Sequence, residues 1–203
     1  MTVLLLDERW PTMIPMEAIG KLYGPAHFSA EVPVSVRWNF GECLNGEDAT
    51  GRGVLVSTQA QDADVKERIA AGEQVFEAPS RKDPIFLAQQ VMAQACQLGE
   101  WEQSQTHATL IPYLREESEE FIDAIEQGSG DEELCKELGD VFLQVLFHAE
   151  IASRRGAFAL DDVASSFITK LRSRAPYLFD GTAQLVPQEE QEALWAKGKE
   201  REA

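Results

Sequence analysis

The sequence predicts a small α/β domain over residues 1–95, followed by an all-α module over residues 96–203 that forms a dimeric four-helix bundle. Short apolar runs alternate with short helical patterns in the first part, as in α/β domains. Long helical patterns with short loops fill the second part, which indicates antiparallel helices in a bundle. One of these helices is apolar nearly all round, which indicates a subunit interface as well as a core.

Six segments of residues 1–95 carry the α/β prediction. A buried apolar run or period-two alternation predicts a strand at four of them: 2–6, 32–38, 53–58 and 73–78. Helices are predicted over 15–22 and 62–72, the latter with an Asp N-cap and a C-terminal glycine. The glycines of 46–53 fit no phosphate-binding spacing and predict a surface loop. No catalytic signal is present in this half, so its role is left open between docking, regulation and a remnant without function.

Residues beyond 83 are helical in pattern. Helices are predicted over 83–99, 105–126, 132–155, 160–174 and 187–202, with glycine- or proline-containing breaks between them. In the helix over 105–126, Leu110, Leu114, Phe121 and Ile125 form the predicted core stripe, because each residue advances the helix by about 100°. Glu117 and Glu120 lie at the edge of that stripe, where a solvated carboxylate is not expected.

The helix over 132–155 repeats this feature. One polar strip crosses its otherwise apolar surface: Glu137, Asp140, Gln144 and His148. Residues 100–150 hold fourteen acidic side chains but only Arg115 and Lys136 as basic ones, so the protein cannot neutralise the facing carboxylates. A hard divalent cation with oxygen ligands can, and Mg²⁺ keeps positions open for water and phosphate.

Two other interpretations fit the carboxylates less well. Both pairs could be ordinary solvated faces of amphipathic helices, although their position against apolar arcs speaks against this. A di-iron site needs a histidine three residues after a glutamate, and Glu117, Glu120 and Glu137 lack one. Magnesium therefore ranks first.

The composition indicates the compartment of the protein and the kinds of partner that it does not bind. The 203-residue chain has 35 acidic and 18 basic side chains and a formal net charge of −17. Such a charge repels nucleic acid and anionic membrane surfaces, so we expect neither as a partner. Three cysteines without a CxxC pair predict reduced thiols, and no segment approaches the length of a membrane helix. We expect a cytoplasmic protein.

Two motifs carry a resemblance to a known family. Glu116, Glu117 and Glu120 form EExxE, and sixteen residues later Glu137 and Asp140 form ExxD. With the flanking segments "WEQSQTHATLIPYLREE" and "KELGDVFLQVLFHAEIA", they resemble MazG-type all-α nucleoside triphosphate pyrophosphohydrolases. The resemblance covers about half the chain, residues 98–200, and implies hydrolysis of a nucleoside triphosphate to the monophosphate and pyrophosphate.

The resemblance also implies the site residues. The metal ligands would be Glu117, Glu120, Glu137 and Asp140, with Mg²⁺ required and Mn²⁺ as a substitute. Glu116 would assist catalysis, either through a second metal or by orienting the attacking water. The substrate would be bound by Trp101, Gln105, Lys170, Arg174, Trp195 and Lys199. Ser173 and Ala175 depart from the family pattern, which puts the nucleobase preference in doubt.

Two functions from different classes follow. The first is a Mg²⁺-dependent nucleoside triphosphate pyrophosphohydrolase that acts as a homodimer in nucleotide-pool house-cleaning. The second is a non-catalytic helical module for dimerisation or regulatory nucleotide binding, with the α/β half as the working part. Release of pyrophosphate from nucleoside triphosphates separates the two.

Overall fold

A computed structural model of the protein describes residues 2–202 and divides the chain into two compact units, residues 1–87 and 88–203. The first unit is α/β and the second is helical, as predicted. The predicted domain boundary after residue 95 falls inside a helix, Pro84–Leu98. Within residues 2–202, no helix combines the length and apolarity that crossing a bilayer requires. The three cysteines are free: Cys43, Cys96 and Cys135.

The first unit is built on a four-stranded parallel sheet in the order β2-β3-β1-β4. Its strands are β1 (Thr2–Leu5), β2 (Ala26–Phe28), β3 (Val54–Ser57) and β4 (Gln74–Glu77). Three of the four predicted strands are thus confirmed, and β2 is an addition. Both faces of the sheet are buried, since alternate residues of β1 enter two separate apolar clusters. Burial on both faces explains why β1 and β3 read as continuous apolar runs.

The strand predicted over 32–38 is wrong. The segment forms a helix instead, α1 (Val34–Asn39). Pro33 precedes its first residue, and its fixed φ suits a helix start. Val36 and Phe40, four residues apart, are buried together in the main cluster of the unit, whereas Val34 is exposed. The alternating valines imitate a strand, but tertiary packing selects the helical spacing.

The two predicted helices of the first unit differ in outcome. The helix over 62–72 is confirmed as α2 (Ala63–Ala70). Asp62 caps it by accepting hydrogen bonds from the Asp64 and Val65 amides, as its N-cap role requires. The helix predicted over 15–22 is reduced to a single 3₁₀ turn, Met16–Ala18, because Gly20 turns the chain away with a φ of +75°.

The second unit contains six helices within its described residues 88–202. They are α3 (Pro84–Leu98, which begins in the first unit), α4 (Glu100–Ser104), α5 (Ile111–Glu126), α6 (Asp131–Arg154), α7 (Leu160–Arg174) and α8 (Gln188–Glu202). α5 packs against α6, and α7 against α8. The buried cluster lies between α3, α6 and the start of α5: Met92, Cys96, Leu110, Leu146, Phe147 and Ile151.

Two helical predictions need correction. The helix predicted to start at residue 105 starts at Ile111, where Pro112 occupies the first turn, and the short α4 was not predicted. The predicted core stripe of α5 is buried only at Leu110, whereas Leu114 and Ile125 are exposed. The α5 stripe therefore has no complete cover within residues 2–202.

Candidate functional site

The α5–α6 hairpin positions the predicted metal ligands. The two helices are joined by a tight turn at residues 127–130, in which Gly128 has a φ of +67° and the Ser129 amide donates to the Ala124 carbonyl at 3.0 Å. Such a short connection makes α5 and α6 antiparallel neighbours. Residues three apart lie on the same helix face, so each helix can direct a pair of carboxylates toward the other.

Three carboxylates of the hairpin come together. One carboxylate oxygen from each of Glu117, Glu120 and Glu137 lies within 4.8 Å of the others. Glu137 is buried, Glu117 half-buried and Glu120 exposed, so the cluster reaches solvent on one side. Asp140 is half-buried and acts electrostatically on Glu117, but it is not part of this three-residue group. The structure therefore brings together three of the four predicted ligands.

The crowding of negative charge in the cluster contributes to a shift in the pKa of Glu117. The pKa of Glu117 is raised above its ordinary value, first by burial and then by neighbouring carboxylates: Asp140, Glu120, Glu116 and Glu137. Glu116 itself is exposed at the rim of the cluster. Both causes disfavour the ionised form of Glu117. A bound cation would relieve both the crowding and the burial of charge.

Glu137 has one satisfied and one unsatisfied oxygen. Lys136 Nζ donates to Glu137 Oε1 at 2.6 Å, and this bond is the largest cause of the lowered pKa of Glu137. Glu137 Oε2 is buried and has no hydrogen-bond partner in the described part of the chain. A buried ionised oxygen without a donor is unfavourable unless a cation binds it. This unpaired oxygen belongs to Glu137, which is itself a member of the three-carboxylate group.

The donor set fits a metal ion. All the clustered ligand atoms are carboxylate oxygens, the type that Mg²⁺ and Mn²⁺ take in proteins. Lys136 is the one basic residue bonded to the cluster among residues 2–202, and it neutralises Glu133 as well, at 3.5 Å. One lysine cannot balance three carboxylates, so the arrangement accommodates a divalent cation.

Trp101 and Gln105, predicted to lie near the nucleobase, are neighbours in the structure. The Gln105 side-chain amide donates to the Trp101 carbonyl at 2.9 Å. The indole of Trp101 packs edge-on against Tyr113 and Phe147, with ring centroids 5.7 and 5.9 Å away. The side chain is still 49% exposed, so part of the indole remains free to contact a ligand.

The predicted phosphate contacts lie on the α7–α8 pair. The Arg174 guanidinium forms an ion pair with Glu202 and lies 5.2 Å from the Trp195 ring. Lys170 and Lys199 are exposed. Within residues 2–202, no ion pair joins these cations to the three-carboxylate group. The structure thus brings Arg174 and Trp195 together, and in the described part of the chain these cations make no direct salt bridge to the acidic cluster.

Comparison with known proteins identifies the chain. Residues 1–76 match the model of the MazG N-terminal domain, and residues 105–179 match that of the MazG nucleotide pyrophosphohydrolase domain. The chain belongs to the MazG family. The first match accounts for the α/β unit as a domain of this family, and the second contains all three clustered carboxylates of the hairpin.

Whole-chain relatives support this membership. Over 206 residues the MazG chain is 37% identical to a protein of Mycolicibacterium smegmatis and 38% identical to one of Mycobacterium tuberculosis, both named "Nucleoside triphosphate pyrophosphohydrolase". These alignments include 100% of this chain but only 63% and 62% of the relatives. A crystal structure of a mazG-related protein from Thermotoga maritima matches with a TM-score of 0.50 at 25% identity, covering 56% of this chain and 96% of that one.

Sequence reasoning missed a histidine pair in this MazG chain. The Nδ1 atoms of His107 and His148 lie 2.8 Å apart, and their rings are nearly parallel, with an interplanar angle of 13° and centroids 5.1 Å apart. Arg155 Nη2 lies 3.0 Å from His107 Nε2. His148 belongs to the polar strip predicted on α6, which was one available signal. His107 is 41 residues away in an irregular segment, so no helical spacing could connect the two.

Proposed function

We propose that the chain is a Mg²⁺-dependent nucleoside triphosphate pyrophosphohydrolase that converts nucleoside triphosphates, ribo- or deoxyribo-, to the monophosphate and pyrophosphate. The observation that carries the proposal is the convergence of Glu117, Glu120 and Glu137 within 4.8 Å, with one buried oxygen of Glu137 left without a donor. The names of the two mycobacterial relatives support the activity. We assign it a role in nucleotide-pool house-cleaning, since the reaction would remove nucleoside triphosphates from the pool.

The three clustered carboxylates, together with Asp140, would hold the cation. When bound, Mg²⁺ supplies positive charge to the phosphoryl oxygens of the substrate. Glu116 is exposed beside Glu117 at the rim of the cluster, so its carboxylate is free to orient the attacking water and to accept its proton. The water oxygen bonds to the α-phosphorus while the bond from that phosphorus to the bridging oxygen breaks, and pyrophosphate leaves.

Other side chains would bind the two ends of the substrate. The exposed part of Trp101 can stack on a base, and Gln105 beside it offers an amide for hydrogen bonding. Lys170 and Arg174 would stabilise the charge on the leaving pyrophosphate, with Trp195 and Lys199 completing that side. To bind phosphate, Arg174 must give up its ion pair with Glu202. This exchange is favoured because the triphosphate carries more negative charge than the carboxylate.

A homodimer would cover apolar side chains that the helical unit exposes. Exposed apolar side chains on α5, α6 and α7 favour association of two copies into the four-helix core predicted from the sequence: Ile122, Ile125, Leu138, Leu143, Phe167 and Ile168. We place this dimer in the cytoplasm, without nucleic-acid or membrane partners.

The test measures pyrophosphate and orthophosphate release from a panel of standard and oxidised nucleoside triphosphates in the presence of Mg²⁺. We expect pyrophosphate and the monophosphate in equal amounts. Glu120→Gln should lower kcat by at least about a hundredfold while leaving the circular dichroism spectrum unchanged, because one charged ligand is lost. Glu119→Gln is the matched control, since this exposed neighbour on α5 lies outside the clustered group.

Calorimetry provides a second readout of the same site. Mg²⁺ or Mn²⁺ uptake should be measurable in the wild type with nucleotide present, and weakened in Glu120→Gln but not in Glu119→Gln. Orthophosphate as the product, or full activity of Glu120→Gln, would contradict the proposal. Nucleotide binding without any cleavage would favour the non-catalytic regulatory module instead.

A further inference from the structure

Three side chains form a continuous hydrogen-bond chain at the end of α6 distant from the acidic cluster. Arg155 Nη2 contacts His107 Nε2 at 3.0 Å, and His107 Nδ1 contacts His148 Nδ1 at 2.8 Å. His148 Nε2 is buried and has no hydrogen-bond partner among residues 2–202. His107 and His148 are half-buried, and Arg155 is exposed. These three residues are called the hydrogen-bond chain below.

The chemistry of the three groups fixes the direction of every proton. A guanidinium only donates, so His107 Nε2 must be the acceptor of the Arg155 bond. Neutral His107 then carries its proton on Nδ1 and donates it to His148 Nδ1. His148 therefore accepts at Nδ1 and carries its own proton on Nε2. A second proton on either ring would place two N–H groups against each other and break one bond of the chain.

The hydrogen-bond chain holds the segment that carries the predicted base contacts. His107 lies in the irregular segment between α4 and α5, two residues after Gln105 and six after Trp101. Arg154 anchors the same segment independently, since its Nη2 donates to the Gln103 carbonyl at 3.0 Å. The two anchors differ in one respect: the Arg154 bond has no titratable partner, whereas the hydrogen-bond chain requires two neutral imidazoles.

We propose that Arg155, His107 and His148 position residues 101–110 for the nucleoside end of the substrate, and that they do so only while both histidines are neutral. This proposal rests on the proposed function and deepens it. The three are positioning residues, because they act through Trp101 and Gln105 and do not themselves touch the reacting phosphorus. The predicted consequence is an affinity for nucleotide that falls when the pair is protonated.

The surroundings of His148 favour its neutral form. The pKa of His148 is lowered from its ordinary value of 6.5, first by burial and then by His107. Arg155 adds a fixed positive charge beside His107. Other charged groups at this end include Glu102 on α4 and Glu150 and Arg154 on α6, which act on the Cys96 thiol of α3. The stabilisation that the hydrogen-bond chain provides is thus fully present above pH 6.5. It is lost as the pH falls through the lowered pKa of His148.

The first test reads the tautomers directly. Long-range ¹H–¹⁵N correlation spectra of the full chain in EDTA at pH 7.5 report which nitrogen of each imidazole carries the proton. We expect Nδ1–H for His107, Nε2–H for His148, and loss of the His107 assignment in Arg155→Met. Any other tautomer of either ring in the wild type would overturn the proposal. This measurement needs no enzymatic activity, so it stands apart from the proposed function.

The second test separates KM from kcat at pH 5.5 and 7.5. At pH 7.5, Arg155→Met should raise KM for a nucleoside triphosphate about tenfold, the factor that loss of one charged hydrogen bond produces. Its kcat should stay within twofold of the wild type. The wild-type KM should rise between pH 7.5 and 5.5 by several times more than that of Arg155→Met. Arg155→Lys, which keeps a donor, should restore most of the wild-type value.

Two control variants test whether the pH effect on KM is specific to the hydrogen-bond chain. His27→Gln replaces the third histidine, which is exposed on β2 of the other unit, and should leave both pH profiles unchanged. Arg154→Gln should raise KM by the same factor at both pH values. Equal KM profiles for the wild type and Arg155→Met would overturn the proposal. If the wild type cleaves no nucleoside triphosphate, the proposed function fails and the positioning role fails with it, whatever the tautomers are.

Discussion

Glu137 presents its two carboxylate oxygens to different surroundings. Oε1 accepts a hydrogen bond from Lys136 at 2.6 Å, whereas Oε2 is buried without a donor within the described residues. Leaving a buried acceptor unpaired typically costs about 1–3 kcal/mol, and more for a charged group. A residue that bears such a penalty in a cluster with Glu117 and Glu120 is suited to ligand binding rather than to stabilising the helix pair. This single atom is the strongest support for a cation at the hairpin.

Asp7 shows the opposite situation, a buried carboxylate with every partner in place. The Arg9 guanidinium donates to both of its oxygens, at 2.8 and 3.1 Å, and the Arg9 amide donates at 2.9 Å. Arg9 also bonds Asp83 and the Ser80 carbonyl. Parallel sheets often bind ligands at the carboxyl ends of their strands. Here the chain's own side chains occupy that edge beside β1.

We therefore predict a pH-dependent contribution of Asp7 to stability. The hydrogen bond from Arg9 is the largest cause that lowers the pKa of Asp7 from 3.8 to about 2. Because the folded pKa is depressed, the stabilisation is complete above pH 3.8 and disappears as the pH falls toward 2. Asp7→Asn should lower the free energy of unfolding by about 2 kcal/mol at pH 7 and about 1 kcal/mol at pH 3.

Urea unfolding of the wild type and Asp7→Asn at both pH values measures this difference. Glu67→Gln, an exposed carboxylate on α2 of the same unit, is the control and should change stability by less than about 0.5 kcal/mol. A difference between wild type and Asp7→Asn that does not shrink at pH 3 would show that the lost stability is not linked to ionisation of Asp7.

At the scale of the elements, long periodic segments were predictable and short ones were not. The helices α3, α6, α7 and α8 follow the sequence prediction within a few residues, because each is a long segment bounded by glycine- or proline-containing breaks. The segment 32–38 is only about two helical turns long, so its alternating valines could not distinguish a strand from α1. The start of α5 is set by the N-cap at Leu110 and by Pro112 in the first turn. Hydrophobic periodicity carries no information about such a local feature.

The residues of the candidate site were also predictable only where they lie on long regular helices. Glu117 and Glu120 could be assigned to one helix edge because both lie on a single regular element. The facing Glu137 followed because a short turn makes the two helices neighbours. The contact of His107 with His148 could not be predicted, since it depends on the path of an irregular segment. Nor could the Arg174–Glu202 pair, which depends on how closely α7 approaches α8.

Gly198 sets the approach of those two helices. A Cβ atom built at Gly198 would lie 2.8 Å from the Arg174 Cα and 2.8 Å from the Ser173 carbonyl oxygen, closer than packing permits. Gly139 on α6 has no heavy atom within 4 Å of the same position. The two glycines are therefore a matched pair for substitution by alanine, one in a tight crossing and one in open space.

We predict opposite signs for the two substitutions. Gly198→Ala should destabilise the protein by about 1–3 kcal/mol, because α7 and α8 must separate to admit the methyl group. Gly139→Ala should stabilise it by up to about 1 kcal/mol, since alanine lowers the entropy lost on helix formation. Chemical denaturation monitored by circular dichroism at 222 nm measures both. A neutral Gly198→Ala would mean that the crossing is looser than the structure has it.

At the scale of the whole molecule, the helical unit exposes large apolar side chains on three different helices. Leu138 is 53% exposed, Phe167 61% and Ile125 54%, on three different helices. Monomeric proteins seldom leave large contiguous apolar patches in water. Each protomer has a formal charge of −17, so two copies repel one another unless apolar contact outweighs the repulsion. Added salt screens that repulsion and should strengthen association.

The final prediction concerns the oligomeric state. Sedimentation equilibrium of the full chain should give twice the chain mass of 22.6 kDa, with a dissociation constant that falls between about 50 and 500 mM NaCl as charges are screened. Phe167→Glu on α7 should shift the protein toward a monomer, because burying a charge in place of an aromatic ring is unfavourable by several kcal/mol. Trp38→Gln is the control, since that side chain is 83% exposed on α1 of the other unit and should not affect the mass. A wild type that sediments at 22.6 kDa at every salt concentration would rule out the proposed homodimer.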